Sequence, residues 1–109
     1  MRVISPKRLR ESWAARPRAE APLRGWLAVA RTADWATFAD LRADFPAADL
    51  VGTCAVFNAG GNKYRLIGRV SYASRRVYVL AVLTHAEYAR GDWPGACGCH
   101  LPPPPRGSA

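Results

Sequence analysis

The chain lacks the long apolar runs that membrane proteins carry. No apolar stretch approaches the roughly 20 residues that a membrane-spanning helix needs. Met1 is followed by a charged amphipathic segment and not by the apolar core of a secretory signal peptide. We therefore expect a cytoplasmic protein without a membrane anchor.

Cysteine is scarce, with only three residues in the chain, and two of them, Cys97 and Cys99, lie near its C-terminal end. An odd number in this arrangement implies no disulfide framework, which agrees with a reducing cytoplasm. The run Cys97-Gly98-Cys99-His100 lacks the second ligand pair that closes a tetrahedral zinc site. We predict no metal and no cofactor.

Lysine is also scarce. The only lysines are Lys7 and Lys63, so 14 of the 16 cationic residues are arginine, and the net charge is +8. Arginine grips phosphate and carboxylate groups with a planar fork, whereas lysine offers a point charge. This balance indicates a nucleic acid or an acidic protein as partner. A GC-rich genome that encodes arginine on an ordinary solvated surface is the alternative.

The chain of 109 residues is long enough for one small domain. Ser5 as N-cap and Pro6 at the first helical position favour a helix that ends before Pro17. Apolar residues at helical spacing predict a second helix over residues 20–31, and Asp34 is expected to cap a third that ends before Pro46.

Three strands are predicted after these helices, over residues 54–58, 63–70 and 76–83. Their connections have hairpin lengths, so we expect an antiparallel meander. Thr84 and Glu87 form a capping-box pattern that starts a short helix after the last strand. The sequence thus predicts an α+β domain over residues 1–93. Residues 94–109, rich in proline and glycine, are expected to be a disordered tail.

The second strand carries the most informative pattern of charge. Since side chains alternate between the two faces of a strand, one face collects Lys63, Arg65, Ile67 and Arg69. Lys63 and Arg65 would lie about 6.6 Å apart, which suits neighbouring phosphates of a single strand of nucleic acid. A charged face that serves solubility alone is the alternative. Gly60-Gly61 before this strand predicts a turn with positive φ, whose N–H groups could also face an anion.

His85 and Tyr88 follow the third predicted strand, close to these arginines. RNA supplies its own nucleophile, the 2′-hydroxyl, so a protein need only move protons and stabilise the crowded phosphate. A histidine with a tyrosine can do this near neutral pH. A histidine in such a place is more often structural, so the residues alone leave both interpretations open.

Two segments together resemble the HigB family of toxins, which are RelE-like mRNA interferases. They are Val56-Phe57-Asn58-Ala59-Gly60-Gly61-Asn62-Lys63-Tyr64-Arg65-Leu66-Ile67 and Tyr78-Val79-Leu80-Ala81-Val82-Leu83-Thr84-His85-Ala86-Glu87-Tyr88. The segments 1–5 and 38–46 also look like this family, so the resemblance covers about residues 1–93. It implies N-terminal helices packed on a small antiparallel sheet, with a short C-terminal helix. It also implies metal-independent cleavage of mRNA, commonly on the ribosome, and neutralisation by a HigA-like helix-turn-helix antitoxin.

The leading hypothesis is therefore an endoribonuclease toxin that inhibits translation. Its expected catalytic residues are Arg65 at the pentavalent phosphate and His85 or Tyr88 in proton transfer. The expected RNA-binding residues are Lys63, Arg69, Asn58 and Asn62. A non-catalytic RNA- or ribosome-binding module would use the same basic face without His85 and Tyr88. A third possibility is an interaction protein whose arginines hold an acidic partner.

Overall fold

The computed structural model describes residues 1–61 and 63–99. Within these residues the chain forms, in order, β1 (Arg2–Ile4), α1 (Pro6–Ala15), α2 (Glu20–Thr32), α3 (Phe38–Asp44), β2 (Asp49–Val51), β3 (Cys54–Ala59), β4 (Tyr64–Ser71), β5 (Arg76–Thr84), α4 (His85–Ala89) and α5 (Trp93–Ala96). A single 3₁₀ turn, Pro17–Ala19, joins α1 to α2. The predicted α+β class is confirmed.

The sheet has five strands in the order β1-β5-β4-β3-β2 across the described residues. The predicted meander of β3, β4 and β5 is antiparallel throughout. The sheet as a whole is mixed, because β1 pairs with β5 in parallel, and β2 adds an antiparallel strand beside β3. Both added strands are three residues long, which is too short for an alternating pattern to reveal them.

The N-terminal helices cover one face of this sheet. Leu9 of α1, Leu23 of α2 and Leu41 of α3 are fully buried in one cluster with sheet residues such as Phe57 and Leu66. The aromatic centre of this core consists of Trp26, Trp35, Phe45 and Phe57, with ring centroids 5.2–6.4 Å apart. Such contacts fix the helices on the sheet and leave its other face for different use.

The third helix begins later than its sequence pattern suggested. Asp34, the expected cap, instead pairs with Arg75 at 2.7 Å. Thr37 caps the helix in a reciprocal capping box with Asp40. Trp35 therefore lies before the helix, where its indole N–H donates to Asp44 at 2.8 Å.

The C-terminal segment differs from the disordered tail that we expected from residue 94. Residues 93–96 form α5, and Cys99 is buried on the open face of the sheet, which is the face opposite α1, α2 and α3. The expectation that the cysteines form no disulfide framework is wrong, because Cys99 forms a disulfide with Cys54 at the start of β3. Only the fold reveals that pair, since the two residues lie 45 positions apart. Residues 100–109 of the expected tail lie outside the described residues. In the described part of the chain, no helix is long and apolar enough to cross a membrane.

Candidate active site

The hairpin between β3 and β4 forms one end of the site. Gly60 and Gly61 have φ values of +63° and +67°, so the prediction of a turn with positive φ is confirmed. The Lys63 N–H donates to the Gly60 carbonyl at 3.3 Å and closes the turn. A Cβ atom on Gly60 would lie 3.4 Å from the Pro22 side chain, so the hairpin packs against the start of α2. Asn62, expected to bind RNA, lies outside the described residues.

The strand register aligns three positions of the site in one row. Asn58 of β3 is the partner of Arg65 of β4, which is the partner of Leu83 of β5. Two positions further towards the hairpin, the His85 N–H donates to the Lys63 carbonyl at 3.1 Å. Partners in neighbouring strands have Cα atoms about 4.5–5.5 Å apart. The fold therefore gathers these backbone positions at one end of the open face.

The predicted alternation of β4 is confirmed by burial. Leu66 belongs to the core beneath the helices, whereas Ile67 belongs to a second cluster on the opposite face. That second cluster contains Cys54, Val56, Ile67, Trp93 and Cys99, with Tyr88 packed beside it. Arg65 is half-buried on the same face as Ile67, beside this small apolar patch.

Arg65 is held by an aromatic ring. Its Cζ atom lies 5.2 Å from the centroid of the Tyr88 ring, a cation–π distance. Its Nη1 also donates to the Tyr64 carbonyl at 3.4 Å. The Tyr88 ring in turn stacks on Trp93, with ring centroids 5.2 Å apart and planes 22° from parallel. The guanidinium is thus oriented by contacts on more than one side.

The helix that carries His85 and Tyr88 is fixed at its start by the predicted capping box, which is confirmed. The Thr84 N–H donates to Glu87 Oε1 at 2.8 Å, and the Glu87 N–H donates to the Thr84 hydroxyl at 3.2 Å. The hydrogen bond from the Thr84 N–H lowers the pKa of Glu87, and the Arg16 charge acts in the same direction. Arg16 Nη2 lies 3.5 Å from Glu87 Oε1. His85, the first residue of α4, is exposed.

Arg69 does not join this group. It lies on the same face of β4 as Arg65, but four residues further along, which is about 13 Å on an extended strand. Ile67, between them, is fully buried beneath the C-terminal segment. Arg69 Nη2 donates to the Gly98 carbonyl at 3.1 Å. Ile67 and the apolar cluster around it therefore separate Arg65 from Arg69 on the predicted basic face.

Sequence reasoning missed Trp93 as a neighbour of the site. Trp93 is 6% exposed. Its contact with Tyr88 depends on the path of the backbone through residues 89–93, and no periodic pattern in the sequence predicts that path. Within the described residues no group of three or more histidine, cysteine or acidic side chains lies close enough to hold a metal ion.

Comparison with known proteins identifies the family. Residues 19–91, more than half of the chain and a span that includes Asn58 to Tyr88, match the family model of HigB toxins, the RelE-like toxic component of a toxin–antitoxin system. The chain is similar to the mRNA interferase toxin HigB of Escherichia coli (strain K12) and the mRNA interferase HigB of Shigella flexneri. Each is 39% identical over 51 residues, which cover 44% of this chain and 49% of the relative. The chain spans about half the length of the curated relatives it matches. It belongs to the HigB family of RelE-like toxins.

Proposed function

We propose that this protein is an endoribonuclease toxin that cleaves mRNA, with Arg65 at the reacting phosphate. The family membership and the relatives named mRNA interferases support a toxin that acts on mRNA. The observation that carries the assignment is the position of Arg65: half-buried, in one row with Asn58, and held over the Tyr88 ring.

The chemistry requires little of the protein. The ribose 2′-oxygen attacks the adjacent phosphorus and forms a new P–O bond, while the bond from phosphorus to the 5′-oxygen breaks. The products are a 2′,3′-cyclic phosphate and a 5′-hydroxyl. The nucleophile belongs to the RNA, so the protein must accept one proton, donate another and stabilise the pentavalent phosphate. These tasks need no metal.

Arg65 suits the stabilising task. A guanidinium is always charged and offers parallel N–H donors to two phosphate oxygens. The Tyr88 ring and the Tyr64 carbonyl hold the group before RNA arrives, so little reorganisation remains for the reaction itself. In this proposal Lys63, beside the hairpin, binds an adjacent phosphate, and Asn58 contacts the RNA next to Arg65.

The two proton-transfer candidates differ in their surroundings. The Tyr88 ring is engaged by both Arg65 and Trp93, whereas His85 is exposed at the start of α4. We therefore assign proton transfer to His85 and the orientation of Arg65 to Tyr88. Arg69 is assigned a phosphate further along the strand, at the far side of the apolar patch. Asn62 remains a predicted RNA contact.

The resemblance to HigB toxins adds two partners to this proposal. Cleavage takes place on ribosome-bound mRNA in the cytoplasm and stops translation. A HigA-like helix-turn-helix antitoxin encoded beside the toxin neutralises it. The net charge of +8 suits both nucleic acid and an acidic surface of an antitoxin.

Substitution of Arg65 by alanine tests the assignment. Arg65→Ala is expected to lower RNA cleavage at least 100-fold and to abolish growth arrest on induction, because one charge-stabilising donor contributes about that factor. Arg31→Ala is the matched control, since Arg31 is an exposed arginine on α2, in the helix layer behind the sheet. Both variants should keep the wild-type circular dichroism spectrum.

The ends of the RNA distinguish cleavage from binding. Messages mapped after induction should carry new 5′-hydroxyl ends and 2′,3′-cyclic phosphates. Intact messages with blocked translation would favour the non-catalytic RNA- or ribosome-binding module. Full cleavage by Arg65→Ala would show that the reacting phosphate lies elsewhere.

A further inference from the structure

The segment that follows the family-matched residues is anchored on the open face of the sheet. The family match ends at residue 91, and α5 begins at Trp93. Trp93 enters the apolar cluster with Cys54, Val56 and Ile67. The segment therefore adds a buried aromatic ring to a face that also carries Arg65.

The helix that carries Tyr88 has little anchorage of its own. α4 is five residues long, and none of its residues is fully buried. Its start is fixed by the Thr84 capping box, but Tyr88 lies near its other end. The stacking contact with Trp93, at 5.2 Å between ring centroids, joins Tyr88 to a buried group. Since the Arg65 guanidinium lies over the Tyr88 ring, the position of Trp93 affects where that charge lies.

Two connections hold Trp93 in place from the far end of the segment. The Cys54–Cys99 disulfide attaches residue 99 to the first residue of β3. Arg69 Nη2 donates to the Gly98 carbonyl at 3.1 Å. Within the segment, the Cys97 N–H donates to the Trp93 carbonyl at 2.8 Å, so the residues from 93 to 99 form one connected unit.

We propose that Trp93 is a positioning residue of the Arg65–Tyr88 pair and that the Cys54–Cys99 disulfide keeps it in that position. The expected effect of Trp93 on the rate of RNA cleavage rests on the proposed function. The structural consequence, a fixed orientation of Tyr88 and Arg65, is independent of whether RNA is cleaved. Opening the disulfide, which a reducing cytoplasm favours, would release the segment and loosen the pair.

The central variant is Trp93→Ala, compared with Trp93→Phe and with Trp13→Ala. Phenylalanine keeps a ring for Tyr88 to stack on, so Trp93→Phe should restore most of what Trp93→Ala loses. Trp13 is a partly buried tryptophan of α1 that contacts Arg24 and packs against the core beneath the helices, whereas Tyr88 packs against the second cluster. Its replacement reports the effect of lower stability alone.

The kinetic readout separates positioning from RNA affinity. Trp93→Ala should lower kcat about tenfold or more while KM stays within about threefold, because a small displacement of a catalytic group affects the transition state most. Trp13→Ala, measured well below its melting temperature, should keep the wild-type kcat. Equal losses of kcat in the two variants would overturn the proposal.

A spectroscopic readout does not depend on activity. The ring resonances of Tyr88 and the Arg65 Nε–H signal should shift in Trp93→Ala and return towards wild type in Trp93→Phe. Unchanged signals would overturn the positioning role even if RNA is cleaved. Shifted signals in a protein that cleaves no RNA would support the positioning role and refute the proposed function, so the two failures are distinguishable.

The disulfide is tested by reduction in a Cys97→Ser background, which removes the free thiol. A dithiol reductant gives one electron and one proton to each of the two sulfur atoms and becomes a cyclic disulfide itself. The reduced protein should show the same direction of resonance shift as Trp93→Ala and a partial loss of kcat. Identical spectra before and after reduction, with both thiols detected by mass, would refute the role of the disulfide. This measurement also serves if Trp93→Ala does not fold.

Discussion

Reduction of the Cys54–Cys99 disulfide should lower the free energy of unfolding by about 2–4 kcal/mol. The two cysteines are 45 residues apart, and a cross-link that closes a loop of this length removes chain entropy of the unfolded state equal to about 4 kcal/mol at 25 °C. Measured effects commonly reach part of this value. Since 1 kcal/mol moves the melting temperature of a domain of this size by about 5 °C, reduction should lower it by about 10–20 °C.

The assay is urea unfolding followed by tryptophan fluorescence, on oxidised and reduced protein in a Cys97→Ser background. That background prevents Cys97 from forming a different pair. Reduction should also raise the m-value, because the unfolded chain without a cross-link exposes more surface. The Cys54→Ser/Cys99→Ser variant should match the reduced protein. Equal unfolding midpoints for oxidised and reduced protein, with thiols verified by mass, would refute the reasoning.

Two further predictions concern the hairpin and the start of α4. Gly60→Ala should destabilise the protein by about 1–2 kcal/mol in urea unfolding, because φ is +63° there. Gly25→Ala within α2 is the control: a Cβ atom there meets open space, so the change should be neutral or stabilising by up to about 1 kcal/mol. Equal effects at both positions would contradict this prediction. The lowered pKa of Glu87 means that its carboxylate adds stability above its ordinary pKa of 4.5 and loses it as pH falls through the lowered value. Wild type should therefore be more stable than Glu87→Gln at pH 7, the difference should shrink towards pH 3, and a constant difference would count against a contribution from the charged carboxylate.

The sequence predicts the central strands well because their signals are local. Alternation places Arg65 and Ile67 on one face of β4, and burial confirms it. Gly60 and Gly61 predict the turn that the structure contains. Each of these features depends on a few consecutive residues, where the preferences of the backbone act directly.

The shorter elements could not be predicted in the same way. β1 and β2 have three residues each, and their strand geometry exists only because β5 and β3 lie beside them. The start of α3 involved a choice between two capping residues. Thr37 acts as the cap because Asp40 completes the box, whereas Asp34 pairs with Arg75 from a distant loop. Such long-range competition is invisible in a local pattern.

Strand alternation predicts on which side of β4 a charged residue lies, but not which residues cover that side. Arg69 lies on the same side of β4 as Arg65, as period two requires. Alternation says nothing about what covers Ile67 between them, and the structure covers it with Trp93 and Cys99. Arg65 and Arg69 are therefore two separate positive charges on this face.

The composition of the C-terminal segment predicts disorder, and this preference holds for the segment alone. Trp93 is the only large apolar side chain between residues 92 and 99, so burial of this stretch offsets little of the backbone entropy that its ordering costs. Buried area is therefore too small to order this stretch. A covalent bond to β3 changes the balance, because it keeps the segment close to the sheet whether or not each contact is made. The order of residues 93–99, and with it the stacking of Trp93 on Tyr88, should therefore depend on the oxidation state of two cysteines that lie on different elements.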